Sequence, residues 1–166
     1  MKNIAIQDAN ILIDLVKTGL FDYCLALQYE FKTTDIILDE LHEGQIAQIQ
    51  PHISSGKFTV ISISATALVE IQLMSLEDAR LSELDWSAVY YAQQNKALLL
   101  SGDKHLRAIA QSKQIAVHGI FWLIDQLVHH GVLSNAEACS FLKELILINK
   151  RLPVAECEQR LKTWCK

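Results

Sequence analysis

Four acidic residues from distant parts of the 166-residue chain are candidates for a shared reaction centre. Asp8 and Asp103 each follow a short apolar segment that we predict to be a strand. Asp85 and Glu40 lie on the apolar faces of two predicted helices, where an acid rarely points without a partner. The pattern predicts that all four carboxylates converge.

Converging carboxylates predict a metal site, because neighbouring acids cannot all remain ionised without a compensating positive charge. If the helix at 85–96 packs antiparallel to the strand at 97–100, then Asp85 and Asp103 reach the same edge of the molecule. Oxygen ligands without histidine or cysteine favour Mg²⁺ or Mn²⁺ over zinc. Such an ion activates a water molecule and stabilises the transition state of phosphoryl transfer.

Simpler interpretations exist for individual residues of this group. Asp8 is equally suited to capping the next helix, a role that Asn10 also fits. Glu83 is an alternative to Asp85, but Asp85 shares its face with small or apolar residues and is preferred.

Other polar residues flank the predicted acidic centre. Ser101 and Asn10 are predicted to support the acids. Lys104 and Arg107 belong to a basic cluster directly after Asp103. Most such clusters are solvated helix faces, but the position of this one beside the acids makes phosphate contact a hypothesis worth proposing.

The elements that carry these residues alternate between strand and helix, which predicts an α/β fold, a three-layer α/β/α sandwich with a mostly parallel central sheet. Ligands of such sheets bind beyond the carboxyl ends of the strands, where Asp8 and Asp103 are expected. The predicted strands are 3–7, 31–34, 58–63, 97–100 and 115–117. Helices are predicted at 21–29, 35–49, 65–74, 85–96, 104–113, 120–130 and 155–164, with a further one after each of Asn10 and Ser134.

Composition limits the class of protein. The formal charge of −4 gives no overall attraction for nucleic acid, so any such binding depends on a local basic patch. Cys24, Cys139, Cys157 and Cys165 show no metal-binding spacing and are predicted to be reduced and mostly buried. Without a hydrophobic signal or membrane-spanning segment, a cytoplasmic location is expected. We predict a site-bearing domain at 1–130 and a helical extension at 131–166 packed on it.

The segments around the four acids resemble those of the PIN-domain nucleases over roughly residues 1–125. The resemblance rests on IAIQDANILIDL, TTDIILDELHEG, LDWSAVYYAQQ and ALLLSGDKHLRAIA, in this order and spacing. Asp8, Glu40, Asp85 and Asp103 match the acidic quartet of that family, and Ser101 matches its small hydroxyl residue. Gly102 before Asp103 and the acidic net charge depart from the pattern.

This resemblance implies metal-dependent endonucleolytic cleavage of single-stranded RNA that leaves a 5′-phosphate. Many members are toxins inhibited by a small antitoxin, and many dimerise, so an antitoxin partner and a homodimer are expected. Two other functions stay open: a binding or regulatory module without turnover, and another magnesium-dependent phosphohydrolase. The sequence lacks the paired Asp-x-Asp start that is expected of the commonest group of such phosphohydrolases.

Overall fold

A five-stranded parallel sheet forms the centre of the molecule in the computed structural model, which describes residues 2–166. The strands are β1 (Asn3–Gln7), β2 (Tyr29–Thr34), β3 (Phe58–Ile61), β4 (Leu98–Leu100) and β5 (Val117–His118), in the order β3-β2-β1-β4-β5. The parallel sheet and the helices on both of its faces confirm the predicted α/β sandwich.

Ten helices cover the two faces of the sheet in the described part of the chain. They are α1 (Ala9–Thr18), α2 (Leu20–Cys24), α3 (Asp35–Leu38), α4 (Glu43–Ser54), α5 (Ala65–Ser75), α6 (Glu83–Gln94), α7 (Lys104–Ser112), α8 (Ile120–His129), α9 (Asn135–Ile148) and α10 (Val154–Trp164). Within residues 2–166, none of them is long and apolar enough to cross a membrane.

Alternating strand side chains divide the core into two halves. Ala5 and Leu100 belong to a cluster with α1, α2, α4, α8, α9 and α10, whereas Ile6 and Leu99 belong to a cluster with α3, α5, α6 and α7. Buried strands with apolar residues on both faces are typical of a parallel sheet.

The strand order places a reversal of the chain beside β1. The chain moves from β1 outward to β2 and β3, and then returns so that β4 pairs with the free side of β1. Crevices at such reversals, beyond the carboxyl ends of the strands, are where ligands bind in α/β sheets. Asp8 directly follows β1, and Asp103 follows β4 by three residues.

Several predicted elements differ from the structure. The helix predicted at 35–49 is two helices, α3 and α4, separated by a turn that contains Glu40. Proline usually interrupts a helix, yet Pro51 lies inside α4, which continues to Ser54. Leu73 is a large apolar residue of α5, yet it is 62% exposed.

The last two helices pack against each other and are joined by a disulfide bond. Cys139 and Cys165 form this bond, with their Cα atoms 5.3 Å apart, so the prediction of reduced thiols is wrong for this pair. Cys24 and Cys157 are free and buried, as predicted. Helix α9 also reaches α1, where the Asn149 side-chain amide donates to Asp14 Oδ2 at 2.7 Å. The domain boundary near residue 130 stays a prediction.

Candidate active site

Asp8 is a buried carboxylate at the carboxyl end of the central strand. Asp8 is only 2% exposed. Its Oδ1 accepts a hydrogen bond from the Ile11 backbone N–H at 2.8 Å, and this bond caps α1. Burial raises the pKa of Asp8 to about 7, although hydrogen bonds from Ser101 and Ile11 act in the opposite direction. Asp8 therefore caps α1 and is also buried so deeply that its pKa is raised, which helix capping alone does not require.

Asp85 and Asp103 lie close enough to Asp8 for their negative charges to raise its pKa further. The structure thus brings together three of the four predicted acids. Asp103 caps α7, with Oδ1 2.7 Å from the Leu106 nitrogen, and Asp85 Oδ2 closes a capping box with Ser82 at the start of α6. Each of these caps uses one carboxylate oxygen, which leaves the other for a ligand.

Ser101 connects two of the acids. Its fully buried hydroxyl accepts the Asp103 backbone N–H at 3.1 Å and also hydrogen-bonds Asp8. Ser101 thus lies between Asp8 at the end of β1 and Asp103 after β4.

Glu40 and Asn10 are located differently from the expectation. Glu40 lies on the exposed turn after α3, not on the inward face of a helix. The helix ends early because His42 and Gln45 form a new capping box that starts α4. Asn10 is exposed in the first turn of α1, since Asp8 occupies the capping position.

Lys104 and Arg107 lie on α7, directly after Asp103. Lys104 is exposed and Arg107 is half-buried. The Arg107 guanidinium lies over Gly119, where an added Cβ would be 3.1 Å from its NH1 atom. Burial lowers the pKa of His118, and the charge of Arg107 lowers it further, so Arg107 is also near the end of β5. Both basic residues are at the carboxyl edge of the sheet.

Three polar residues near the acids were not identified from the sequence. The hydroxyls of Thr34 and Ser87, both fully buried, lie 3.0 Å apart and connect the end of β2 to α6. The Gln7 side-chain amide is fully buried, and neither of its polar atoms has a hydrogen-bond partner within residues 2–166. No periodicity marks Thr34 or Ser87, whereas Gln7 was recognisable as a polar residue ending an apolar strand.

The carboxylate oxygens of this group are suitable ligands for a hard divalent cation, but the side chains of residues 2–166 are not arranged as a formed metal site. The charges of Asp85 and Asp103 disfavour ionisation of Asp8, and the three side chains offer only oxygen ligands, which fits Mg²⁺ or Mn²⁺. Among residues 2–166, no three acidic, histidine or cysteine side chains already stand in an arrangement that could hold an ion.

The fold and the site define a class of α/β proteins with carboxylates at the switch point of a parallel sheet. A family model described as PIN domain matches residues 4–166, so the chain belongs to the PIN-domain family, a nuclease-type fold. No curated protein matches the sequence.

Two solved structures from archaea resemble the chain. PAE2754 from Pyrobaculum aerophilum has 16% identity and a TM-score of 0.51, covering 77% of this chain and 99% of its own. A PilT N-terminus domain protein, SSO1118, from the hyperthermophile Sulfolobus solfataricus P2 has 16% identity and a TM-score of 0.49, covering 72% and 89%. At this identity, PAE2754 supports the fold alone.

Proposed function

We propose that the protein is a metal-dependent endoribonuclease that cleaves single-stranded RNA, with Mg²⁺ or Mn²⁺ held by Asp8, Asp85 and Asp103. The observation that carries the proposal is the buried Asp8, whose pKa is raised to about 7 by burial and by the two neighbouring acids. A protein has little reason to keep three carboxylates together at a ligand-binding edge unless a cation joins them.

A cation in this centre would neutralise charge on the scissile phosphate and favour ionisation of a water molecule. The protein side chains have separate tasks around it. Asp85 and Asp103 offer carboxylate oxygens from the starts of α6 and α7, while Ser101 holds the Asp8 carboxylate in place. Lys104 and Arg107 would bind phosphates of the RNA backbone, which positions a strand without reading its sequence.

The structure gives less support for a role of Glu40 than for the other three acids. Its exposed position on a turn leaves it as a residue expected from the family resemblance alone. We therefore assign it no metal contact.

The direct test is cleavage of single-stranded RNA by the purified protein with Mg²⁺ or Mn²⁺. Asp8→Asn keeps the side-chain oxygen that caps α1 but removes the charge, so we expect a folded protein with at least 100-fold lower activity. Asp39→Asn, which alters an exposed acid next to Glu40, is the matched control and should retain activity. Undiminished cleavage by Asp8→Asn would overturn the proposal.

A toxin role is a narrower form of the same proposal. It requires a protein partner that suppresses cleavage, and a short gene next to this one is the first place to search for it. A silent binding module and a small-molecule phosphohydrolase are the competing functions. Metal binding without any hydrolysis would favour the first, and hydrolysis of small phosphate esters but not RNA would favour the second.

A further inference from the structure

A partly exposed polar junction connects the segments that carry two of the site acids and has no role in the mechanism above. Its central residue is Asp78, in the connection between α5 and α6, with a side chain only 12% exposed. Asp78 Oδ2 lies 2.7 Å from Arg80 NH2 and 2.8 Å from His105 Nε2, and Oδ1 accepts from the Arg80 backbone and Nε, each at 3.0 Å.

The backbone of Asp78 adds contacts to the same segment. Its carbonyl oxygen accepts from the Leu81 N–H and from Trp86 Nε1, each at 3.3 Å. Trp86 is fully buried in α6, so the connection before α6 is fixed to the core on one side and to His105 on the other.

His105 and Asp78 connect the starts of two helices that each carry a site acid. His105 lies two residues after Asp103, in the first turn of α7. Asp78 lies four residues before Ser82, the residue that caps α6 and binds Asp85. The 2.8 Å bond therefore joins the first turn of α7 to the segment that leads into the capping box of Asp85.

We propose that Asp78 and His105 are positioning residues, which hold Asp85 and Asp103 at the spacing that the reaction centre requires. The effect of these two residues on catalysis rests on the proposed nuclease function. Neither residue touches the reacting atoms. They act by fixing the relative position of α6 and α7, in the way that supporting residues around metal sites orient the direct ligands.

The strength of the junction agrees with this role. Hydrogen bonds from Arg80, followed by the one from His105, hold the pKa of Asp78 well below its ordinary value. Asp78 is thus ionised at neutral pH, and its hydrogen bonds are charge-assisted.

The first test uses the metal-free protein and does not depend on catalysis. His105→Leu removes the donor, whereas His105→Gln keeps an N–H group at a similar distance from the backbone. We expect at least 10-fold faster amide hydrogen exchange at the capped N–H groups of Asp85 and Leu106 in His105→Leu and Asp78→Ala. His105→Gln should exchange like the wild type, and α9 should be unaffected in all variants.

The second test measures Mn²⁺ affinity by calorimetry and RNA cleavage on the same variants. We expect at least 10-fold weaker Mn²⁺ binding and a lower kcat in Asp78→Ala and His105→Leu, restored to within 3-fold in His105→Gln. Arg151→Ala, which removes an exposed arginine between α9 and α10, is the control and should change Mn²⁺ affinity less than 3-fold.

Different results overturn different conclusions. Unchanged exchange in His105→Leu, or equal losses in His105→Leu and His105→Gln, would contradict the positioning role. A wild-type protein that binds no Mn²⁺ and cleaves no RNA contradicts the proposed function instead, and the exchange experiment then still decides whether the junction holds the two acids.

Discussion

Asp8 and Asp103 cap two helices in the same way, from the ends of adjacent parallel strands. Oδ1 of each accepts a backbone N–H three residues later, at 2.8 Å from Ile11 and 2.7 Å from Leu106. The two caps fix both carboxylates at one edge of the sheet, where each repels the other. Asp8 and Asp103 therefore both stabilise the helix starts and form part of the acidic centre.

The first prediction concerns the pH dependence of stability without metal. The pKa of Asp8 is about 7 in the folded protein against 3.8 ordinarily, so the folded state binds the proton more tightly. Stability due to this group is present below about pH 4 and is lost as the pH rises to about 7. At about 1.4 kcal/mol per pKa unit, the loss amounts to about 4 kcal/mol.

Asp8→Asn should abolish this pH dependence while keeping the cap of α1. Urea unfolding at pH 5 and pH 8 in a chelator measures it, and the variant should be the more stable protein at pH 8. Asp39→Asn, which changes an exposed acid outside the centre, is the control and should keep the pH dependence of the wild type. A wild-type free energy of unfolding that stays constant between pH 5 and pH 8 would contradict the assigned burial of Asp8.

The second prediction concerns metal binding and stability. A cation that binds only the folded protein stabilises it by about 2.7 kcal/mol at 100 times its dissociation constant. We expect Mg²⁺ or Mn²⁺ to raise the melting temperature of the wild type, and Asp103→Asn to lose this shift. Glu83→Gln, an exposed acid on the first turn of α6, should keep it. An equal shift in Asp103→Asn would exclude Asp103 as a ligand.

The sequence was sufficient to predict the parallel sheet and the proximity of Asp8, Asp85 and Asp103, whose role as metal ligands stays a prediction. Asp8, Asp85 and Asp103 sit where a parallel sheet and an antiparallel helix–strand pair must place them, so local patterns determine their positions. Glu40 was placed wrongly because the apolar periodicity continues from α3 into α4 without a sequence break. The break is made at His42, whose backbone N–H donates to Gln45 Oε1 at 2.9 Å at the start of α4, without the serine or threonine that usually marks such a helix start.

Contacts between distant residues could not be predicted in this way. The Thr34–Ser87 bond joins residues 53 apart in sequence, and the Asp78–His105 bond joins residues 27 apart. The disulfide of Cys139 and Cys165 depends on how α9 and α10 pack, since their spacing of 26 residues matches no motif. Such pairs are set by tertiary packing and leave no periodic signal.

The third prediction concerns the binding of RNA phosphates by Arg107. For single strands, each phosphate contact contributes a slope of about 0.7 to the dependence of log K on log salt concentration. Arg107→Ala should therefore reduce that slope by about 0.7 and weaken binding similarly for all RNA sequences. Arg151→Ala makes the same charge change at an exposed residue between α9 and α10 and should leave the slope unchanged. Binding of labelled RNA at four salt concentrations, with an inactive Asp8→Asn background, measures it.

The fourth prediction concerns the disulfide between α9 and the end of the chain. Cross-linking residues 26 apart lowers the entropy of the unfolded chain and should stabilise the fold by about 3 kcal/mol. Dithiothreitol should therefore lower the free energy of unfolding of the wild type by about this amount. Cys165→Ser should show the same loss without reductant, because residue 165 is exposed and the serine fits without repacking. The reductant should have no further effect on Cys165→Ser, and a further loss there would show that it acts elsewhere.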